Sequence, residues 1–238
     1  MEFQVTMLML TLGYAICAPM VNNATQQNNF PIKAILFDWS GTISDDRLPV
    51  YEAEKKMCVH WNLACAPYQQ WVRNVSMNPI DALRKKGVEA SGDEIYARYR
   101  SCFQEALQSG IHPVIYPDAL ETLTRLVEMG LRLGIVSSHP QVHLEREAQE
   151  HGFHTLVEAI HGDARNKVDV LQHVCSLLGL EPTTTLYVGD TIYDIRSARE
   201  AGLQTAGITT GYHTHEALEA EKPEFLLTSL DQIFSIIL

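Results

Sequence analysis

Three short apolar runs in this chain each stop abruptly at small polar or acidic residues, and this pattern constrains the fold more than any other feature. Residues 32–37 (IKAILF) end at Asp38, with Gly41 supplying turn chemistry just beyond. Residues 131–136 (LRLGIV) end at Ser137 and Ser138, and 185–188 (TLYV) end at Gly189, Asp190 and Thr191. Around these runs the chain falls into helical periods at 118–129, 141–151, 166–178 and 191–201. Further strands are expected at 156–160 and 205–208, followed by a terminal pair of elements at 224–227 and 229–237. Strands alternating with helices of this length imply right-handed crossovers and an α/β fold with a doubly wound, mostly parallel sheet. Ligands bind such sheets beyond the carboxyl ends of the strands, so the three polar tips are expected to converge.

From Pro49 to Gly110 the pattern is helical only, with segments at 51–61, 68–75, 79–86 and 93–107 punctuated by Pro67, Pro79, Gly87 and Gly92. The expected organisation is an α/β core of residues 31–47 and 115–238, a helical insertion over 48–114, and a separate N-terminal segment, 1–30. That segment carries an apolar run at 5–18 and then the Asn/Gln-rich stretch 21–29. The run is too short to span a bilayer comfortably. It has the look of a secretory-signal core, yet no Lys or Arg precedes it and Glu2 stands where positive charge belongs. The expectation is a cytoplasmic protein with no stable membrane span, export by an atypical signal being the alternative.

A net charge of −11 argues against a broad nucleic-acid surface, which needs clustered Lys and Arg, and favours a small-molecule partner. A monomer or homodimer is expected. The same acidity suits a divalent cation, which lets a carboxylate-rich site attract an anionic phosphate. Five cysteines without a C-x-x-C pair indicate neither a zinc site nor a disulfide framework. Asp190 and Asp194 are four residues apart and fall on one face at a helix N-terminus, where with Asp38 they can surround a hard cation through oxygen ligands. Simple helix capping is the competing reading for this pair.

Asp38-x-x-Gly41-Thr42 after an apolar strand, Ser137 at the next strand tip, Lys167 ahead of Gly189-Asp190-x-x-x-Asp194, and the trailing Ala198-x-x-Ala201-Gly202 together resemble the haloacid dehalogenase-like hydrolase superfamily. The resemblance covers residues 31–238 and is nearest to phosphoglycolate phosphatase-like members, aided by Gly211-Tyr212 and the tail from Pro223 to Leu230. It implies that the insertion is a helical cap. It further implies a Mg²⁺-dependent phosphatase with Asp38, Ser40 and Lys167 as the catalytic group. Thr42, Ser137 and Ser138 would bind substrate, and Asp38, the backbone carbonyl of Ser40, Asp190 and Asp194 would hold the metal. Asp38 would take the phosphoryl group of a small phosphorylated metabolite as an aspartyl-phosphate.

Ser40 stands where phosphatases of this family usually carry a second, acid/base aspartate, so the resemblance implies an enzyme in which that aspartate is replaced. The segment Asp38-Trp39-Ser40-Gly41-Thr42 is also similar to phosphonoacetaldehyde hydrolases, which use a cap lysine as a Schiff base. Pro79 aligns roughly with that lysine, and Lys85 and Lys86 lie near it. A third reading is a catalytically weak protein that keeps the metal and phosphate pocket for regulation. His139, His213 and His215 read as solvated loop histidines, and Trp61 and Trp71 as packing residues of the insertion.

Overall fold

A computed structural model of the chain describes residues 31–72 and 78–237. The expectations for residues 1–30 and for the end of the 68–75 helix fall on residues outside this range. Among the described residues no helix is long and apolar enough to cross a membrane.

The core is a six-stranded sheet in which every neighbouring pair is parallel, ordered β5-β4-β1-β6-β7-β8. Its strands are β1 (Ala34–Phe37), β4 (Arg132–Val136), β5 (Ala159–His161), β6 (Thr185–Gly189), β7 (Gln204–Ile208) and β8 (Phe225–Leu227). Helices α5 (Ala119–Glu128), α6 (Gln141–Glu150), α7 (Lys167–Leu178), α8 (Ile192–Glu200) and α9 (His215–Ala220) form the connections, and α10 (Phe234–Ile237) ends the chain. The continuous apolar character of β1 follows from cover on both faces. Ile35 and Phe37 pack with Leu123, Leu126 and Leu144, whereas Leu36 points the other way, into a second cluster with Leu171, Val174 and Ala198. The strand 156–160 is displaced in the structure to 159–161, because Leu156 and Val157 pack against the first cluster from outside the sheet.

The insertion is built from α1 (Arg47–His60), α2 (Tyr68–Val72), α3 (Pro79–Lys85) and α4 (Gly92–Gln108). Helix α1 starts four residues earlier than the sequence suggests. It contains Pro49 in its first turn, where a proline costs no hydrogen bond. Ala53, Met57, Leu83, Ile95 and Cys102 give the insertion its own small core, separate from the clusters of the sheet. Trp71 is buried against Tyr51 and Tyr68 as a packing residue, and Trp61 lies against the insertion's core. At the base of the insertion β2 (Ser44–Asp45) pairs antiparallel with β3 (Val114–Ile115). These strands, two residues each, are too short to leave a period in the sequence.

Candidate active site

The order of the sheet reverses beside β1, which lies between β4 and β6, and a crevice opens there at the carboxyl ends. Register fixes the first two acidic tips against each other. Phe37 pairs with Val188, and the Asp38 amide donates to the Val188 carbonyl at 2.9 Å. Asp38 therefore leaves β1 level with Gly189, directly before Asp190. Beyond β6, Thr191 caps α8, and the Asp194 carboxylate returns to accept from the Thr191 amide at 3.0 Å in a capping box. The capping reading and the site reading of this segment thus both hold for Asp194.

Asp38, Asp190 and Asp194 are all buried, with carboxylate oxygens within 4.8 Å of one another. Lys167, at the start of α7, sends its ammonium between two of them, 2.8 Å from Asp38 Oδ2 and in contact with Asp194 Oδ1. Burial pulls the Lys167 ammonium down, but the charges of Asp194 and Asp38 outweigh this and hold it well above the usual lysine range. At Asp190 burial, and then the charges of Asp194 and Asp38, outweigh the Tyr212 amide and the more distant Lys167 charge and push the carboxyl well above the usual range.

The cluster fits a divalent cation. Asp190 Oδ2 accepts from the Tyr212 amide at 2.7 Å, while Oδ1 is buried with no hydrogen-bond partner among the described residues. A lone buried carboxylate oxygen is costly, and an all-oxygen donor set is what a hard cation takes. Two glycines hold Asp190 in place from opposite ends of the sequence. A Cβ on Gly41 would lie 2.3 Å from Asp190 Oδ2, and one on Gly211 only 2.0 Å from it. Gly41 also has φ +76°, a conformation that other residues adopt at a cost.

The expectation that a serine replaces an aspartate in the machinery of this site is corrected by this geometry. The acidic set Asp38, Asp190 and Asp194 is complete, and no serine takes any of its positions. Asp190 and Asp194, expected from the sequence as partners of Asp38, complete the set from the tip of β6, so the serine beside Asp38 leaves no gap in it. Ser40 instead bridges to Ser44 beside the turn and lines the cavity above Asp38.

That cavity has a volume of about 690 Å³ and lies between the core and the insertion. Ser137, Ser138, Lys167 and Asp38 all face it. Ser137 is buried at the tip of β4 and accepts from the His139 amide at 3.2 Å. Ser138 is exposed and donates to the Ala164 carbonyl. Thr42 is buried in the turn below, and its hydroxyl has no partner among the described residues. Pro79 lines the cavity, but Lys85 and Lys86 do not; Lys86 is bound to Glu54 at 2.6 Å.

Two features went unseen in the sequence. Asp46 is buried at the cavity wall, accepting from the Tyr212 hydroxyl at 2.7 Å; burial raises its carboxyl. His139 is not a solvated loop residue. Its side chain is only 9% exposed, it faces the cavity, and its Nε2 lies 3.4 Å from Glu147, whose other oxygen accepts from Trp39 Nε1 at 2.9 Å. The only signal was the spacing of His139, His143 and Glu147 at intervals of four. His213 caps α8, accepting from the Ile192 amide at 2.9 Å, and His215 begins α9.

Burial pulls the His139 imidazole down, but the Glu147 carboxylate 3.4 Å away, aided by Asp46 and Asp38, raises it above its ordinary 6.5. The stabilisation from this pair is therefore complete between the ordinary glutamate midpoint of 4.5 and pH 6.5, fades as the pH rises through the raised His139 midpoint, and is lost in acid as Glu147, held below its ordinary value, protonates. Glu147→Gln is expected to lower the His139 titration followed by NMR, since burial then acts with little opposition. An unchanged midpoint would remove Glu147 as the cause.

The model of the haloacid dehalogenase-like hydrolase family matches residues 35–208, a span that contains the three carboxylates, Lys167 and the whole insertion. The chain belongs to the haloacid dehalogenase-like hydrolase family. Among curated members, a phosphoglycolate phosphatase of Vibrio vulnificus is 29% identical over 228 residues, covering 90% of this chain and 98% of its own length. One from Vibrio parahaemolyticus is 26% identical, with the same coverage. Among solved structures, a haloacid dehalogenase-like family hydrolase from Streptococcus pneumoniae superposes with a TM-score of 0.78 at 20% identity, covering 87% of this chain and 99% of that one. A protein described as a predicted phosphoglycolate phosphatase, from Haemophilus somnus, gives 0.73 at 22%, covering 87% and 98%. At these identities the structures speak for the fold: a parallel core sheet with helices inserted after the first strand.

Proposed function

We propose that this hydrolase transfers the phosphoryl group of a small phosphorylated metabolite to Asp38 and then to water, with Mg²⁺ as cofactor, a reaction of the phosphoglycolate phosphatase type. The observation that carries the reading is the seat of Asp38. It stands at a strand tip under an open cavity, ion-paired to Lys167 and facing Asp190 and Asp194. A carboxylate so held can attack phosphorus in line, dividing one hard hydrolysis into two steps.

The other residues have roles that follow from their positions. Lys167 offsets the charge of Asp38 and of the approaching phosphoryl oxygens, while Asp194 keeps the ammonium in place. The Ser137 hydroxyl, on the cavity wall, would donate to those oxygens, as Thr42 would only after a rearrangement of its buried turn. Asp38, Asp190 and Asp194, with the Ser40 carbonyl, would hold Mg²⁺, which as a Lewis acid neutralises charge on the phosphoryl group. The residues between 48 and 114 would serve as the cap that selects the substrate.

The test is turnover of acetyl phosphate, p-nitrophenyl phosphate and an alkyl phosphate before and after exhaustive chelation. Activity is expected to vanish with EDTA and to return with Mg²⁺ but not Ca²⁺, which prefers more ligands at longer distances. Full activity in the chelated protein would sink the metal-dependent reading. Tight phosphate binding without turnover of any ester would favour the regulatory alternative, and turnover of phosphonoacetaldehyde alone would favour carbon–phosphorus cleavage.

A further inference from the structure

The cavity above Asp38 extends well past the room that a phosphoryl group needs. Its volume of about 690 Å³ falls in the range, roughly 300–1,000 Å³, of sites that bury drug-sized ligands. A phosphoryl group with a two-carbon tail would leave most of it empty.

The two walls differ in character. The core side presents Asp38, Ser40, Asp46, Ser137 and Lys167, whereas the insertion presents Val50, Met57, Ala82 and Leu83. Beside these, α4 contributes Tyr96, Tyr99 and Phe103, spaced to share one face of the helix. Their rings form a continuous row, with centroids 6.3 Å apart from Tyr96 to Tyr99 and 6.0 Å apart from Tyr99 to Phe103. All three are only half-buried, so the row has a free face on the cavity.

The cations argue in the same direction. Deep in the cavity Lys167 is already paired with Asp38 and Asp194, and His139 with Glu147. Arg100 and Arg165 line the cavity but are exposed, Arg100 lying 5.2 Å from the Tyr96 ring. Among the described residues the remaining cations of the lining, Arg100 and Arg165, are exposed, so a carboxylate carried close to the phosphoryl group would meet Asp46 and the apolar wall, an unfavourable burial.

We propose that the phosphoryl donor is a monoester of an alcohol bearing an apolar, ring-sized body that packs on the Tyr96–Tyr99–Phe103 face while the phosphoryl group sits at Asp38. This rests on the phosphoryl-transfer reading above. Aromatic bodies on aromatic walls gain both area and ring–ring geometry, and the gain here lies on the leaving-group side of the scissile bond.

Ethyl phosphate and 2-phenylethyl phosphate isolate this effect, because both release a primary alcohol and differ only in the ring. With Mg²⁺ present, kcat/KM for 2-phenylethyl phosphate is expected to exceed that for ethyl phosphate by at least about tenfold. Phosphoglycolate should fall at or below ethyl phosphate. Phe103→Ala, and separately Tyr96→Ala, should narrow the ratio between the two esters. Equal kcat/KM for the two, or a preference for phosphoglycolate, would overturn the proposal. Calorimetry on the wild-type protein with 2-phenylethylphosphonate and ethylphosphonate supplies a readout free of turnover, and the first is expected to bind at least about tenfold more tightly. If no ester is hydrolysed but this binding preference holds, the hydrolysis reading falls and the ligand class stands. Equal binding of the two phosphonates overturns the ligand class whatever the turnover.

Discussion

Asp38→Asn is expected to abolish phosphate-ester hydrolysis while leaving a folded protein. The asparagine side chain is nearly isosteric with aspartate, and its amide cannot attack phosphorus to form an acyl-phosphate. Removing the nucleophile from a covalent mechanism typically costs about 10⁴-fold or more in kcat. The fold should tolerate the change because Lys167 keeps Asp194 as a partner and the Asp38 backbone remains in the sheet through its bond to Val188. Thermal melting should therefore shift by no more than a few degrees, and inorganic phosphate should still bind in the presence of Mg²⁺. A folded variant that retains a few per cent of wild-type turnover would remove Asp38 as the nucleophile.

Gly211→Ala should disable the same site while every residue of the acidic set and Lys167 keeps its identity. The new methyl carbon would stand 2.0 Å from Asp190 Oδ2 and 2.7 Å from Asp190 Cβ, so the whole side chain must move, not its tip alone. Asp190 has nowhere to go, being fully buried and held by the Tyr212 amide. Displacing a supporting contact of a metal ligand commonly costs 10–100-fold in affinity or activity, and moving the ligand itself should lie at or beyond about a hundred-fold. The measurement is the rise in melting temperature on Mg²⁺ titration, alongside kcat/KM. Gly41→Ala should do the same and in addition destabilise the metal-free protein by about 1–2 kcal/mol, the cost of a left-handed backbone for a residue with a Cβ. Wild-type Mg²⁺ affinity in Gly211→Ala would show that Asp190 is not a metal ligand.

What could be read from the sequence and what could not divide along physical lines. The strands β1, β4 and β6 were legible because each is a run buried on both faces, so composition alone marks it. Their tips were legible because small and acidic residues have no place inside such a run. Other features depend on chain segments far apart. Asp46 resembles an ordinary turn residue beside Asp45 until Tyr212, from beyond β7, covers it. His139 looks like a loop histidine until Glu147 turns back toward it from α6. The three acidic tips were legible in the same way as the strands, whereas the significance of Ser40 was misjudged, because the set is complete without it. The aromatic row on α4 was present as a spacing, but only the placement of α4 against the cavity shows that its face is open.

The ribbon of β2 and β3 also bears on how such a chain diversifies. Both crossings between core and insertion pass through four residues, Ser44 and Asp45 on the way out and Val114 and Ile115 on the way back, paired side by side. The carboxylates and Lys167 all lie outside this loop of chain, whereas the rings of Tyr96, Tyr99 and Phe103 lie within it. Under the proposed chemistry, exchanging the stretch between the paired strands for another helical segment would therefore leave Asp38, Lys167 and the other carboxylates where they are and alter the wall that faces the bound compound. Inheritance can shuffle the two properties separately, because a hairpin's width is all that joins them.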